Sequence, residues 1–81
     1  MNMDCITFRS ITPAQRAQRV LRRGGVDAAL QRTPRQMEAR GCGYCLRIRS
    51  ANQEMALSLL EQANITFGNI YHLDNGERVA P

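Results

Sequence analysis

The segment AQRVLRRGGV, residues 17–26, is followed 39 residues later by a similar segment, ALSLLEQANI, residues 56–65. In each, an alanine and two aliphatic residues follow the three- and four-residue spacing that places side chains on one face of a helix. Gly25 and Asn64 stand at the same position of the two segments, and both residue types commonly end helices. The repeat therefore predicts two amphipathic helices, each followed by a strand.

Four runs of strand-like sequence surround the two helices. The first helix is predicted to begin at Ser10 or Thr12, with Pro13 in its first turn. For the second, Ser50 with Gln53 fits a capping box, and the helix runs from about residue 52 to 63. The predicted strands are residues 5–9, 26–33, 44–49 and 65–73.

This βαββαβ order is that of the ferredoxin-like sandwich, an α+β fold. Right-handed crossovers place both helices on one face of a four-stranded antiparallel sheet and leave the other face open. The 81 residues make one domain, with its core at about 4–73 and a short tail at 74–81. Two hairpins without a shared sheet are disfavoured, because both helical stripes would stay exposed.

Side-chain alternation divides the central strands between the two faces of this sheet. Ile6 and Phe8, with Leu46 and Ile48, point towards the helices. The open face receives polar and sulfur-bearing side chains instead: Cys5, Thr7, Arg9, Cys45, Arg47 and Arg49. With Phe8 predicted to point inward, the central strands offer no aromatic platform for bases, so we do not expect dedicated nucleic-acid binding.

Arginine supplies all of the basic residues of this chain. All eleven basic residues are arginines, and the net charge is +4 with a pI of about 9.6. On the open face, Arg9, Arg47 and Arg49 predict a cationic patch that an anion, an acidic partner or a second copy of the chain in a homodimer would cover. No apolar run is long enough for a membrane span, and no secretion signal is visible. We therefore expect a cytoplasmic protein with reduced cysteines.

The segment RTPRQMEARGCGYCLRI, residues 32–48, carries the candidate chemistry. Cys42 lies between Gly41 and Gly43, which allow a sharp turn and close approach by a partner. Arg35 and Arg40 precede it, and positive charge favours the nucleophilic thiolate. Cys42 is therefore the predicted reactive thiol, and these four neighbours are its predicted binding residues.

Cys42 and Cys45 form a C-x-x-C pair, so Cys45 is a candidate resolving thiol. The pair enters a strand instead of a helix, which disfavours a thioredoxin-like oxidoreductase. Zinc ligands could come only from the three cysteines and His72, a weak set without a second C-x-x-C pair. We expect no metal site, no cofactor and no complete catalytic site.

Several elements together resemble the selenium/sulfur carrier-like family of small proteins. They are ITFRS at 6–10, the alanine-rich helix ending at Gly25, TPR at 33–35 and CG at 42–43. The resemblance implies a ferredoxin-like fold and a cysteine, Cys42 here, that carries sulfur or selenium. The chain departs from the family pattern at Cys45, where a small or aliphatic residue is expected.

The leading hypothesis is a carrier or accessory protein, not a complete enzyme. Cys42 would accept sulfur or selenium from a cysteine desulfurase or another chalcogen donor and present it to an acceptor enzyme. Two alternatives stay open from the sequence. One is a regulatory module whose basic face binds an acidic partner or an anion, and the other is a redox- or metal-sensing CGYC domain.

Overall fold

The computed structural model describes residues 2–33, 43–74 and 77–78, which form one sheet and two helices. Two strands and both helices match the predicted positions closely. A short 3-10 turn, not predicted, precedes the second helix. In chain order the elements are β1 (Met3–Phe8), α1 (Ile11–Arg23), β2 (Ala29–Arg32), β3 (Tyr44–Arg49), a 3-10 turn (Ser50–Asn52), α2 (Gln53–Gln62), β4 (Ile70–Asp74) and β5 (Glu77–Arg78).

The strands are ordered β2-β3-β1-β4-β5, and every neighbouring pair is antiparallel. The first four strands have the order of a ferredoxin-like α+β domain, as predicted, with β1 and β3 at the centre. The two-residue β5 extends the edge of the sheet with part of the predicted tail. Within the described ranges, no helix combines the length and apolar character needed to cross a bilayer.

The main core lies between the helices and one face of the sheet. Ile6, Leu46 and Ile48 are fully buried there, and Phe8 is 3% exposed, as the alternation predicted. The helices contribute the repeated stripe of the sequence to the same cluster. Its fully buried helical members are Ala14, Ala17, Leu21, Ala56 and Leu60.

The sequence repeat produces the same backbone structure at the ends of both helices. Gly25 and Asn64 have positive φ angles of 86° and 56°, the left-handed conformation in which glycine and asparagine commonly end helices. Each donates its N–H to the carbonyl three residues earlier, and the next residue donates to the carbonyl five residues earlier. These bonds are Gly25 N to Arg22 O, Asn64 N to Glu61 O, Val26 N to Leu21 O and Ile65 N to Leu60 O.

This shared helix ending explains why two strands are shorter than predicted. The predicted strands 26–33 and 65–73 are observed as Ala29–Arg32 and Ile70–Asp74. Val26 and Ile65 have strand-like side chains, but their N–H groups bind the helix ends and their side chains fill the core. Their β-branched character therefore serves packing and not strand pairing.

The predicted capping box at Ser50 and Gln53 is wrong. In a capping box the serine accepts a backbone N–H, whereas here the Ser50 hydroxyl donates to Asp4 Oδ1 at 2.7 Å. Gln53 Nε2 donates to Asp4 Oδ2 at 2.9 Å. Both side chains bind a buried carboxylate of β1, so they fix the start of α2 through a tertiary contact.

Candidate functional site

The ends of β2 and β3 meet next to the glycine that follows Cys42. The Thr33 N–H donates to the Gly43 carbonyl at 3.1 Å, closing this end of the sheet. Gly43 has a φ of 130°, and a Cβ at this position would lie 2.6 Å from the carbonyl oxygen of Phe8. Only glycine fits here without displacing backbone, which gives a physical reason for the glycine of the Cys-Gly pair.

The predicted reactive thiol and three of its neighbours lie outside the described residues. These four are Arg35, Arg40, Gly41 and Cys42. Their assigned roles stay predictions. Gly43 is the described residue covalently attached to Cys42, so it marks the end of the sheet at which this segment rejoins the fold.

The register does not gather the predicted arginine patch into one cluster. Arg9 follows Phe8, which pairs with Tyr44, so Arg9 lies at the same end of the sheet as Gly43. Arg49 pairs with Met3 at the opposite end, about 20 Å from Arg9 at about 3.3 Å per residue. In the described part of the chain, neither residue makes an ion pair.

Arg47 lies between these ends, beside a second cluster that the prediction did not assemble. Cys5 and Cys45 are fully buried on the face away from the helices, together with Leu73. Met3 and Tyr71 pack against them. Cys5 pairs with Arg47 and Cys45 with Thr7, so the two cysteines are diagonal neighbours on adjacent strands. We call Cys5 and Cys45 the thiol pair.

The two thiols differ in acidity, and hydrogen bonding between the neighbouring side chains is the main cause of the difference. It is the largest cause that lowers the pKa of Cys45 from 9.0 to about 7, against the opposing effect of burial. For Cys5 the same bond, with burial, raises the pKa far above its ordinary value. These causes favour the thiolate form of Cys45 and the protonated form of Cys5.

Other groups around Cys45 also favour the thiolate. Gln31 lies directly opposite on β2 and supplies a side-chain hydrogen bond, and the nearby Arg47 supplies positive charge. The Thr33 hydroxyl acts in the same direction. Thr33 Oγ1 and Arg47 Nε are buried, and neither has a hydrogen-bond partner among the described residues. The surroundings of Cys45 are therefore suited to a negatively charged sulfur.

The predicted alternation correctly placed both cysteines of the thiol pair on the open face. It could not find their contact, because Cys5 and Cys45 are 40 residues apart in sequence. The signal that was available is the pairing of β1 with β3 in the ferredoxin-like order. Only the register of that pairing, with Cys5 opposite Arg47, brings the two sulfurs together.

A serine, a histidine and an aspartate also lie together, but they do not form a catalytic triad. Asp4 is 2% exposed, and its Oδ1 is 2.9 Å from His72 Nδ1 and 2.7 Å from the Ser50 hydroxyl. Ser50 Oγ is also nearest to Nδ1, at 3.2 Å, whereas a triad needs the serine and the aspartate on different ring nitrogens. The cluster instead ties β1, β4 and the start of α2 together.

The described residues contain no group of three or more His, Cys, Asp or Glu side chains arranged to hold a metal ion. At the thiol pair, this lack of a metal-binding group agrees with the positive charge nearby. Arg47 lies beside both sulfurs and would repel a cation, while it stabilises an anion. The chemistry that this site supports is that of thiolates.

Comparison with known protein families identifies the chain. Residues 4–72 match the family described as "Putative Se/S carrier protein-like". The chain belongs to this Se/S carrier family. Searches of curated proteins and of solved structures give no match.

The family match spans most of the chain, including all three cysteines and the Cys42-Gly43 pair. It confirms the resemblance drawn from ITFRS, TPR and CG. It does not by itself assign a function to the thiol pair.

Proposed function

We propose that this member of the Se/S carrier family binds sulfur or selenium covalently on Cys42 and transfers it between a donor and an acceptor enzyme. The observation that carries the proposal is the family match across residues 4–72, which includes the Cys42-Gly43 pair. The close contact of Gly43 with the Phe8 carbonyl supports it, because this contact anchors the residue next to Cys42 to the end of the sheet.

The proposed loading step is a sulfur transfer between thiolates. The Cys42 thiolate attacks the outer sulfur of a persulfide on the donor, for example a cysteine desulfurase. A new S–S bond forms on Cys42, the donor S–S bond breaks, and the donor cysteine leaves as a thiolate. No external oxidant or reductant is needed, because the transferred sulfur keeps its oxidation state.

Positive charge supports this step, since both the attacking thiolate and the product persulfide are anionic. Arg35 and Arg40 are close to Cys42 in sequence, and Arg9 is exposed at the end of the sheet where Gly43 lies. Arginine remains charged at all physiological pH values. We therefore propose these three arginines as the groups that stabilise the carried anion.

Mass spectrometry of the intact protein tests the proposal. We expect incubation with a cysteine desulfurase and free cysteine to add the mass of one sulfur to the wild-type chain. The adduct should be lost in Cys42→Ala and kept in Cys5→Ala, the matched control for a different cysteine. Absence of any adduct on the wild-type protein would contradict the carrier function.

A second candidate function has a separate basis, the arginine-rich surface of α1. Four arginines of this helix are exposed, and two glutamines lie among them. The residues lining this shallow surface are Gln15, Gln18, Arg19, Arg22 and Arg23. Such a surface would bind an acidic protein or another anion without thiol chemistry. Binding that weakens with added salt and is unchanged in Cys42→Ala would select this function.

A further inference from the structure

We propose that the outer face of α1 binds the phosphate backbone of double-stranded nucleic acid. We call this face the arginine ridge, and it comprises Gln15, Arg16, Gln18, Arg19, Arg22 and Arg23. The inference rests on the second candidate function, for which it names the anion, and it does not depend on sulfur chemistry at Cys42. Three observations carry it: the alignment of four exposed arginines, their lack of ion-pair partners among the described residues, and the different charge of the equivalent face of α2.

The arginines lie on the side of α1 that faces away from the core. The fully buried residues of this helix are Ala14, Ala17 and Leu21. At about 100° per residue, the four arginines fall within an arc of about 120° on the opposite side. Arg16, Arg19 and Arg23 follow the three- and four-residue spacing, so they form a row about 10 Å long at about 1.5 Å per residue. The helix therefore presents its positive charge along one line.

No carboxylate neutralises this charge within the described part of the chain. The α1 segment contains no acidic side chain, and none of its four arginines forms an ion pair with another described element. Arginines three or four positions apart on a helix repel each other and lower its stability. The helix dipole favours Arg22 and Arg23 in the last turn, but it does not extend to Arg16 and Arg19. An anion bound to the ridge would relieve this repulsion.

The internal repeat shows that the fold does not need these arginines. Both helices bury the same stripe and end in the same way. The residues of α2 that stand 39 positions after the four arginines are also exposed, and none is basic: they are Met55, Ser58, Glu61 and Gln62. Four arginines give α1 a side-chain charge of +4, and two glutamates give α2 a charge of −2. Helices that pack alike thus differ in outer charge, so the arginines serve a purpose other than packing.

The composition of the ridge favours a nucleic-acid duplex over an acidic protein. Protein–protein interfaces combine a charge-depleted centre with a polar rim, whereas the residues lining the shallow surface of the ridge are arginines and glutamines. Both side-chain types bind phosphate oxygens, arginine with two parallel hydrogen bonds. Single strands are held largely by stacking of bases on aromatic rings, and α1 contains no aromatic residue. A duplex, whose bases stack on each other, needs only the phosphate contacts.

Contacts of this kind do not read the base sequence. Phosphate contacts supply affinity and position, whereas contacts with base edges supply specificity. The lack of an aromatic platform on the central strands argues against a dedicated nucleic-acid reader, and it does not conflict with backbone binding on α1. We therefore expect binding that is independent of sequence and strongly dependent on salt.

The test is the fluorescence anisotropy of a labelled DNA duplex of about 20 base pairs, titrated with the protein at about 50 to 200 mM salt. If four phosphates are neutralised, the logarithm of the association constant should fall against the logarithm of the salt concentration with a slope of about −3.6. Arg16→Gln/Arg19→Gln should weaken binding and reduce the size of this slope by about 2. Arg9→Gln/Arg49→Gln removes the same charge from exposed positions outside the ridge, and it should leave the slope unchanged.

The wild-type slope needs no substitution, and glutamine is a good helix former at the two exposed positions of α1. Absence of duplex binding at about 50 mM salt, or equal changes of slope in the two double variants, would overturn the inference. Tighter binding of a poly-glutamate peptide would overturn it in favour of an acidic protein, and tighter binding of the single DNA strand would overturn the choice of a duplex. Sulfur loading on Cys42 should be unchanged in Arg16→Gln/Arg19→Gln, so failure of the ridge to bind leaves the carrier function intact.

Discussion

On β1 and β3, the face covered by the helices carries aliphatic side chains, whereas the opposite face carries thiols, a hydroxyl and guanidinium groups. Ile6 and Leu46 represent the first face, and Cys5, Cys45 and Arg47 the second. Both faces contain fully buried residues. The difference therefore lies in the chemistry of the buried groups and not in whether they are buried.

The comparison indicates a division between stability and reactivity. The covered face removes apolar surface from water, which is the main favourable contribution to folding. The other face buries two ionisable sulfurs beside Arg47, an arrangement that gains little from the hydrophobic effect. Substitutions on the covered face should thus change folding, and those on the thiol face should change ionisation and sulfur chemistry.

The largest effect is expected from Leu46→Ala on the covered face. Leu46 is fully buried at the centre of the sheet, so its truncation leaves a cavity and should cost about 2–5 kcal/mol of unfolding free energy. Met55→Ala, at a site that is 53% exposed on α2, is the control and should change it by less than about 0.5 kcal/mol. Urea denaturation measures both changes in unfolding free energy. Equal losses in the two variants would contradict the proposed division between stability and reactivity.

A smaller loss is expected from Asp4→Asn at the edge of the covered face. Asp4 accepts hydrogen bonds from Ser50, Gln53 and His72, and an amide can replace only part of this set. The expected cost is about 1–3 kcal/mol. Asp27→Asn, at an exposed position, removes the same charge and should cost nearly nothing. Equal losses in the two variants would show that charge, and not the cluster, is responsible.

Substitutions on the thiol face should change the pH at which the thiolate forms, with little change in the free energy of unfolding. In Cys42→Ser, ultraviolet absorbance should report one thiolate forming near pH 7, with Cys5 protonated far above pH 9. Cys5→Ala in the same background should move the Cys45 transition upward, because its hydrogen-bond donor is lost. A transition unaffected by Cys5→Ala would rule out the contact.

The same pKa values predict the direction in which the free energy of unfolding changes with pH. Cys45 is more acidic folded than unfolded, so its contribution grows from pH 7 to 9 and is lost as pH falls through about 7. Cys5 is less acidic folded than unfolded, so above pH 9 its contribution opposes folding. Denaturation of the Cys42→Ser protein across pH should therefore show stability rising to about pH 9 and falling beyond it.

The smallest expected effect separates the two ends of the sheet. Arg9→Gln and Arg49→Gln change the net charge equally, but only Arg9 lies at the Gly43 end. Loading of sulfur on Cys42 should slow roughly two- to fivefold in Arg9→Gln, as expected for one exposed charge, and stay unchanged in Arg49→Gln. If sulfur loading slows equally in both variants, the net positive charge of the protein, and not the position of Arg9, would be responsible.

Much of the fold could be predicted because its signals are local. The alternation along residues 44–49 matched β3 fully, and the repeat correctly placed both helix ends. The capping box failed because Ser50 and Gln53 also fit a tertiary role that no local pattern reveals. Of the candidate site, Gly43 is described and has a clear steric reason, whereas Cys42 lies outside the described residues.

What the sequence alone determined is the order of the elements, the face on which each strand residue lies, and the helix endings near Gly25 and Asn64. These follow from spacings of two to four residues, which act within one element. The tertiary structure decided which distant residues meet. Only the pairing of β1 with β3 places Cys5 against Cys45, because register is a contact between strands 40 residues apart.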